Sequence, residues 1–130
     1  MKILIVDDSE IMRNLIRKLL EMEGYDNFME ADSGAQAMLK LADADLVLTD
    51  LNMPGMNGAL LIREIRQSDL YHHMPICVIT SQNNVDTVEN ILRMGVDDYI
   101  AKPFDKKRLI QKVKNLEEKI WERQALAKSS

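Results

Sequence analysis

Two kinds of hydrophobic pattern alternate along the chain. Short runs rich in Ile, Leu and Val are typical of strands, whereas apolar residues that recur every three or four positions are typical of helices. The short runs predict strands at 2–6, 27–31, 45–49, 76–80 and 98–101. The helical pattern fills the intervals and predicts helices at 11–20, 34–41, 59–67 and 85–94, with a last helix that follows Asp105 as its N-cap.

This alternation, repeated five times, predicts the fold class. The first, third and fourth predicted strands are apolar almost throughout, which is typical of strands buried on both faces of a parallel sheet. We therefore expect an α/β fold, a three-layer sandwich with a five-stranded parallel sheet in the doubly wound, flavodoxin-like arrangement. The chain has 130 residues and contains no repeat or Pro/Gly/Ser-rich linker, so one domain should account for its fold.

The C-terminal end extends this pattern further than the domain requires. The last predicted helix carries four apolar residues spaced as on one face: Leu109, Val113, Leu116 and Ile120. The polar stretch that follows, up to Lys128, contains no helix breaker. We expect the domain at 1–116 and a helical extension or tail at 117–130. A solvated tail, a homodimer or partner contact through Ile120 and Trp121, and a linker toward an output domain are the three interpretations of the extension.

Composition and charge exclude several classes of protein. The apolar runs are far shorter than the roughly 20 residues of a membrane helix, and no secretory signal opens the chain. We expect a cytoplasmic protein without membrane insertion. Residues 1–100 carry 8 basic and 17 acidic side chains, a net charge of −9, whereas residues 101–130 carry 9 and 4, a net charge of +5. The basic segment is interpreted as a solvated helix face, so we expect no direct nucleic-acid binding.

Polar residues follow four of the predicted strands at their C-terminal ends. Asp7 and Asp8 follow the first strand, Asp50 the third, Thr80 the fourth and Lys102 the fifth. Because helical crossovers return every strand in the same direction, these ends share one rim of the sheet, where ligands of such folds bind. Residues far apart in the sequence are therefore expected to meet in one cleft.

The chemistry of this cleft favours phosphoryl transfer. Three carboxylates placed together repel one another unless a cation lies between them. Mg²⁺ suits the cleft because it binds one or two carboxylates, keeps several waters and accepts phosphate oxygens. Lys102 offers a compact charge for a phosphoryl oxygen, and the Thr80 hydroxyl can donate to another. Together these groups favour attack of a carboxylate on phosphorus, which forms an aspartyl phosphate.

With these residues, the chain resembles the receiver domain of two-component response regulators over about residues 1–116. The resemblance rests on four motifs: Asp7-Asp8, the stretch Asp-Leu-Asn-Met-Pro-Gly-Met-Asn-Gly at 50–58, Thr80-Ser81, and Lys102-Pro103. Agreement at four separated places is far more specific than agreement at any one of them.

The resemblance implies which residues bind the phosphoryl group and the metal. Asp50 would be the phosphoacceptor. Asp8 and Asp50 would ligate Mg²⁺ together with the backbone carbonyl of Asn52, and Asp7 would bind the ion through water. No other cofactor is expected.

The resemblance also implies which residues contact the bound phosphoryl group and which one moves in response to it. Lys102 and Thr80 would contact it, and the Lys102-Pro103 peptide bond would be cis. Tyr99, three residues before Lys102, matches the family's switch aromatic, which turns inward as the hydroxyl residue moves toward the phosphate. The interpretation of Tyr99 without the resemblance is a half-buried packing residue.

The function that the resemblance implies is that of a receiver in a two-component system or phosphorelay, similar to stand-alone chemotaxis-type regulators. The donor would be a phosphohistidine on a sensor histidine kinase or a phosphotransfer protein. The chain would not be an enzyme, since it would catalyse only its own phosphorylation and dephosphorylation. Phosphorylation would switch binding to a downstream protein, at a surface expected on the fourth and fifth helices and the strand that bears Tyr99.

Three other functions compete with this one. A flavodoxin-like electron carrier needs a hydroxyl- and glycine-rich loop after its first strand, whereas Asp7-Asp8 would repel a flavin phosphate. A phosphatase with an aspartate nucleophile resembles Asp-x-Asp-x-Thr there, whereas residues 7–11 read Asp-Asp-Ser-Glu-Ile. The alternative that stays open is a receiver-like interaction module that works without phosphorylation, although such domains tend to lose the acceptor or the lysine.

Overall fold

The computed structural model describes residues 1–53, 55, 57–82 and 84–129. These residues form one five-stranded sheet, five α-helices and a short 3-10 helix at Leu41–Asp43. The strands are β1 (Ile3–Val6), β2 (Phe28–Ala31), β3 (Leu46–Thr49), β4 (Ile76–Thr80) and β5 (Asp98–Ala101). The helices are α1 (Glu10–Glu21), α2 (Gly34–Lys40), α3 (Gly58–Gln67), α4 (Val85–Arg93) and α5 (Lys106–Ser129). Pro54 and Met56, which belong to the motif at 50–58, lie outside the described residues.

The sheet has the order β2-β1-β3-β4-β5, and all neighbouring strands are parallel. This order confirms the predicted flavodoxin-like α/β sandwich. The chain moves outward from β1 to β2 and then reverses to β3 on the other side of β1. Such a reversal opens a crevice at the C-terminal ends of the two central strands, β1 and β3.

Two apolar layers cover the faces of the sheet. Leu4 and Val6 of β1 belong to the core cluster built with α2, α3 and α4, whereas Ile3 and Ile5 belong to the cluster built with α1 and α5. Strands β1, β3 and β4 are buried at every position, as their uninterrupted apolar runs predict. Because both faces are covered, the C-terminal rim is where the sheet presents polar groups.

The helix starts are fixed by polar caps. Side-chain oxygens accept hydrogen bonds from backbone amides three residues later at Ser9, Ser33, Asn57 and Asn84. The predicted cap of the last helix is confirmed, because Asp105 Oδ1 accepts a hydrogen bond of 2.8 Å from the Arg108 amide. The predicted bounds of β4 and β5 match the structure, and the other strands begin one residue later than predicted. Differences of this size are expected where terminal hydrogen bonds fray.

The C-terminal helix is continuous through the predicted boundary at 116 and is attached to the domain beyond it. Ile120 packs against the α1/α5 core cluster, and the Tyr25 hydroxyl donates to Glu117 Oε1 at 3.1 Å. Arg123 Nη2 lies 3.7 Å from Asp97 Oδ1. Trp121 is 58% exposed. The first part of the extension therefore packs on the domain rather than forming a purely solvated tail, and the domain division itself stays a prediction.

Residues without a role in the predicted site occupy ordinary positions. Cys77 is buried in β4, where burial raises the pKa of its thiol, so it is the small core residue that its apolar run predicts. His72 and His73 are exposed in the connection before β4, also as expected. Within the described ranges, no helix has the length and apolar character needed to cross a bilayer.

Candidate functional site

The first part of the site is the turn between β1 and α1. Asp7 is only 2% exposed, and its Oδ1 accepts a hydrogen bond of 2.9 Å from the Ser9 amide. Arg13, one turn into α1, donates to the backbone carbonyl of Asp7 at 2.6 Å. Asp8 is exposed at the mouth of the crevice. The turn thus holds one carboxylate inside the crevice and one at its entrance.

Asp50 follows β3 on the other side of the crevice. Its Oδ1 accepts hydrogen bonds from the backbone amides of Leu51 at 2.7 Å and Asn52 at 3.4 Å. Gly58, the first residue of α3, lies against this turn so closely that an added Cβ would be 2.0 Å from the carbonyl oxygen of Asp50. The Gly58 amide donates to the Leu51 carbonyl at 2.9 Å. Backbone contacts therefore position the Asp50 carboxylate.

Lys102 joins the two sides of the crevice. Its Nζ lies 3.2 Å from Asp7 Oδ2 and 3.4 Å from Asp50 Oδ2, although these partners are 95 and 52 residues away in the sequence. The Lys102 amide donates to the Thr80 carbonyl at 2.8 Å, and the Lys102-Pro103 peptide bond is cis, as the resemblance implies. The predicted convergence on one rim is therefore observed.

Thr80 ends β4 beside the lysine. The residue is fully buried, and its Oγ1 accepts a hydrogen bond of 3.0 Å from the Gln82 amide. This contact uses one lone pair of the hydroxyl oxygen, and the hydroxyl hydrogen can still be donated to another group. Tyr99 is half-buried and packs against the α2/α3/α4 core cluster. The structure thus gives Tyr99 the half-buried position of the simpler interpretation, and its movement stays a prediction.

The acidic residues fit a divalent cation. Asp7, Asp8 and Asp50 each offer a carboxylate oxygen, and these oxygens lie within 4.8 Å of one another. Ligands on opposite sides of Mg²⁺ are about 4.2 Å apart, so small side-chain rotations suffice to bring such oxygens to one ion. Three carboxylates and Lys102 leave a net charge of −2, which a divalent ion neutralises. Hard oxygen donors are the ligands that Mg²⁺ prefers.

Arg13 supports the site but is not predicted by the sequence, and Gly58 belongs to the motif at 50–58 without a predicted role of its own. Arg13 is one of several basic residues on α1, and nothing in its spacing distinguishes it. Glycine is a poor helix former, so its position directly after the Asn57 cap is a weak indication in the sequence that residue 58 has a special role. The reason is the close approach to Asp50, which only the folded chain reveals.

Comparisons with known proteins agree with this geometry. The family model described as the response regulator receiver domain matches residues 3–114. The chemotaxis protein CheY-3 of Vibrio cholerae is 42% identical over 125 residues, which cover 95% of this chain and 93% of that protein. The chemotaxis protein CheY of Pseudomonas aeruginosa is 41% identical over 125 residues, with 95% and 98% covered. The crystal structure of NtrX from Brucella abortus matches with a TM-score of 0.87 and 27% identity over 99% of this chain and 29% of that one.

Proposed function

Because this chain belongs to the response regulator receiver domain family, we propose that it is a phosphorylation-controlled signalling protein in which Asp50 accepts a phosphoryl group. The chain is a receiver domain of the CheY-like type. The observation that carries the proposal is the position of Lys102 Nζ, within 3.4 Å of the carboxylates of both Asp7 and Asp50. A half-buried lysine between two carboxylates, with the buried Thr80 hydroxyl beside it, offers a positive charge and a hydrogen-bond donor to a phosphoryl group.

In the proposed reaction, Asp50 attacks the phosphorus of a phosphohistidine on a sensor kinase or phosphotransfer protein. Asp50 Oδ1 is held by backbone amides, so Oδ2, which faces Lys102, is the nucleophile. A P–O bond forms to Oδ2 as the P–N bond of the donor breaks, and the imidazole nitrogen keeps the electron pair. Lys102 Nζ and the Thr80 hydroxyl bind two oxygens of the transferred group, which neutralises charge as it develops.

Asp8, Asp50 and the carbonyl oxygen of Asn52 would hold Mg²⁺, and Asp7 would hold it through water. When bound, the ion neutralises the negative charge that the phosphoryl group brings into an already acidic crevice. Asp7 also keeps Lys102 in the crevice through the contact of 3.2 Å, so the lysine is in place before the donor arrives.

The protein itself turns over no other substrate in this proposal, and its output is a change of surface. We place it in a two-component system or phosphorelay in the cytoplasm, where the kinase presents its phosphohistidine. The names of the curated relatives support a chemotaxis-type regulator that acts through a downstream protein target. The competing proposal is an interaction module that works without phosphorylation. Such a module would have the same fold but would take up no phosphoryl group in the labelling experiment below.

The test is incubation with acetyl phosphate and Mg²⁺, followed by intact mass. We expect one added phosphoryl group that is stable in acid and labile in base. Asp50→Ala should remove it, whereas Asp69→Asn, a control at an exposed aspartate outside the crevice, should retain it. Equal labelling of Asp50→Ala would refute the acceptor assignment, and an unlabelled wild-type protein would favour the module that works without phosphorylation.

The metal is tested separately by thermal unfolding in increasing Mg²⁺. An ion that binds only the folded protein stabilises it by about 1.4 kcal/mol at ten times its dissociation constant. We expect this stabilisation in the wild-type protein and its loss in Asp8→Asn. A melting temperature that does not change with Mg²⁺ concentration, or an equal increase in Asp8→Asn, would refute the proposed ligands.

A further inference from the structure

The edge strand β5 is tied to α5 by one lysine. Lys112 Nζ donates to Asp98 Oδ1 at 2.8 Å, and the same oxygen accepts a hydrogen bond of 2.8 Å from the Tyr99 amide. Lys112 Nζ also lies 5.7 Å from the centroid of the Tyr99 ring. This distance is within the roughly 6 Å at which a cation is attracted to the face of an aromatic ring. One ammonium group therefore contacts two consecutive residues of β5.

These three contacts support one another. A lysine side chain is flexible, so a cation is kept near a ring only if something else holds it there. Asp98 does this, and the Tyr99 amide in turn orients the Asp98 carboxylate. The side chains of Lys112 and Asp98 are only 22% and 25% exposed. Partial burial weakens competition from water and makes the arrangement stronger than a surface ion pair.

The arrangement also crosses the sheet. The Tyr99 ring packs against the α2/α3/α4 cluster, whereas Val113, which follows Lys112, belongs to the α1/α5 cluster on the opposite face. Lys112 thus reaches around the edge strand from one layer to an aromatic ring that belongs to the other. A movement of the Tyr99 ring must break its contact with the ammonium group.

We propose that Lys112 is a positioning residue for Tyr99: paired with Asp98, it holds the aromatic ring in the position described here and opposes its movement. The inference rests on the proposed function and on the movement of the Tyr99 ring that the family resemblance implies when Asp50 is phosphorylated. Through this contact, α5 and β5 respond together to the state of the site. Loss of the ammonium group should raise the population of displaced rings by about two- to fivefold, the weaker range for a cation–π contact, because 5.7 Å is close to the outer limit of such contacts.

The experiment uses the full chain labelled with fluorotyrosine. The chain has three tyrosines, and Tyr99→Phe assigns the Tyr99 signal in fluorine NMR. Relaxation dispersion then gives the population of the displaced ring in the wild-type protein and in Lys112→Met, which keeps the apolar stem without the charge. Lys112→Arg is the conservative variant, and Lys119→Met, at an exposed lysine two turns along the same helix, controls for the loss of one charge.

We expect the population of the displaced ring to increase about two- to fivefold in Lys112→Met. It should equal the wild-type population in Lys112→Arg and in Lys119→Met. Asp98→Asn keeps an oxygen for the Tyr99 amide but loses the ion pair, so it should reproduce Lys112→Met, and the double variant should add nothing further. Equal populations in Lys112→Met and wild type, or equal changes in Lys112→Met and Lys119→Met, would overturn the proposal.

Labelling with acetyl phosphate in the same samples separates the two proposals. Lys112 contacts neither the acidic crevice nor Lys102 in the described contacts, so all variants should still take up one phosphoryl group at Asp50. A wild-type protein that takes up no phosphoryl group refutes the proposed function, while the ring populations still decide the role of Lys112.

Discussion

Replacement of Gly58 by Ala tests how the backbone positions the phosphoacceptor. A Cβ at this residue would lie 2.0 Å from the Asp50 carbonyl oxygen and 2.7 Å from the Leu51 Cα, whereas ordinary contacts begin at 3.4 Å. These neighbours are backbone atoms, so no side chain can rotate away. Either the start of α3 or the turn after β3 must move by more than an ångström.

Two measurable effects follow from this displacement. Overpacking of this kind costs about 1–3 kcal/mol, which at this chain length corresponds to a fall of the melting temperature by about 3–12 °C. A displacement of an ångström at a reacting group costs up to about 100-fold in rate. We therefore expect Gly58→Ala to melt earlier and to be phosphorylated about 10- to 100-fold more slowly at Asp50.

The assays are thermal unfolding followed by circular dichroism and the initial rate of labelling by acetyl phosphate. Gly24→Ala is the matched control, because Gly24 has φ +95° and its added Cβ would meet nothing within 4 Å. It should lose stability through backbone strain and keep the wild-type labelling rate. Without the close contact, Ala in place of Gly in a helix stabilises by up to about 1 kcal/mol. A Gly58→Ala variant that melts later and is labelled normally would refute the reasoning.

Three further predictions concern other parts of the molecule. Truncation after Leu116 removes the extension that packs on the domain, so we expect the free energy of unfolding, measured in urea, to fall by about 1–3 kcal/mol. Truncation after Arg123 should retain most of this free energy. Equal midpoints for both truncated chains and the full chain would show that the extension adds no stability. Burial, followed by the carboxylate of Glu117, raises the pKa of Tyr25 from 10.0 to about 12. Between these values the folded protein keeps a proton that the unfolded chain has lost, so stability should fall as pH rises through this window and fall less in Tyr25→Phe; a Tyr25 that ionises near pH 10, followed by ultraviolet absorption, would contradict this. Because burial raises the pKa of the Cys77 thiol, a disulfide reagent should modify it only after unfolding, and rapid modification of the native protein would show that β4 is accessible.

The sequence predicts strand β4 and the start of α5 but not the contacts that α5 makes beyond Leu116. β4 was predicted at its observed bounds because five consecutive buried residues leave an uninterrupted apolar signal. The start of α5 was predictable because Asp105 caps it through a local contact three residues away. Beyond Leu116 the periodicity predicts a helix but not its partners, because Arg123 meets Asp97 only after β5 and α5 have packed.

The candidate site also has residues that the sequence predicts and residues that it does not. The sequence placed Asp7, Asp50, Thr80 and Lys102 at strand ends, and parallel connectivity alone puts such ends on one rim. The roles assigned to them through the family resemblance stay predictions until the labelling experiments are done. Arg13 supports the site through the backbone of Asp7, and a contact to a carbonyl group leaves no pattern in the sequence.

The sequence by itself determined the order of the elements, the faces that are buried and the polar groups available at the rim, because hydrophobic periodicity and capping act over a few residues. Only the tertiary structure decided the distances: Lys102 Nζ within 3.4 Å of two carboxylates, Gly58 against the backbone of Asp50, and Lys112 beside the ring of Tyr99. These contacts join residues on different elements, so they depend on strand register and helix packing, which form only when the whole chain folds.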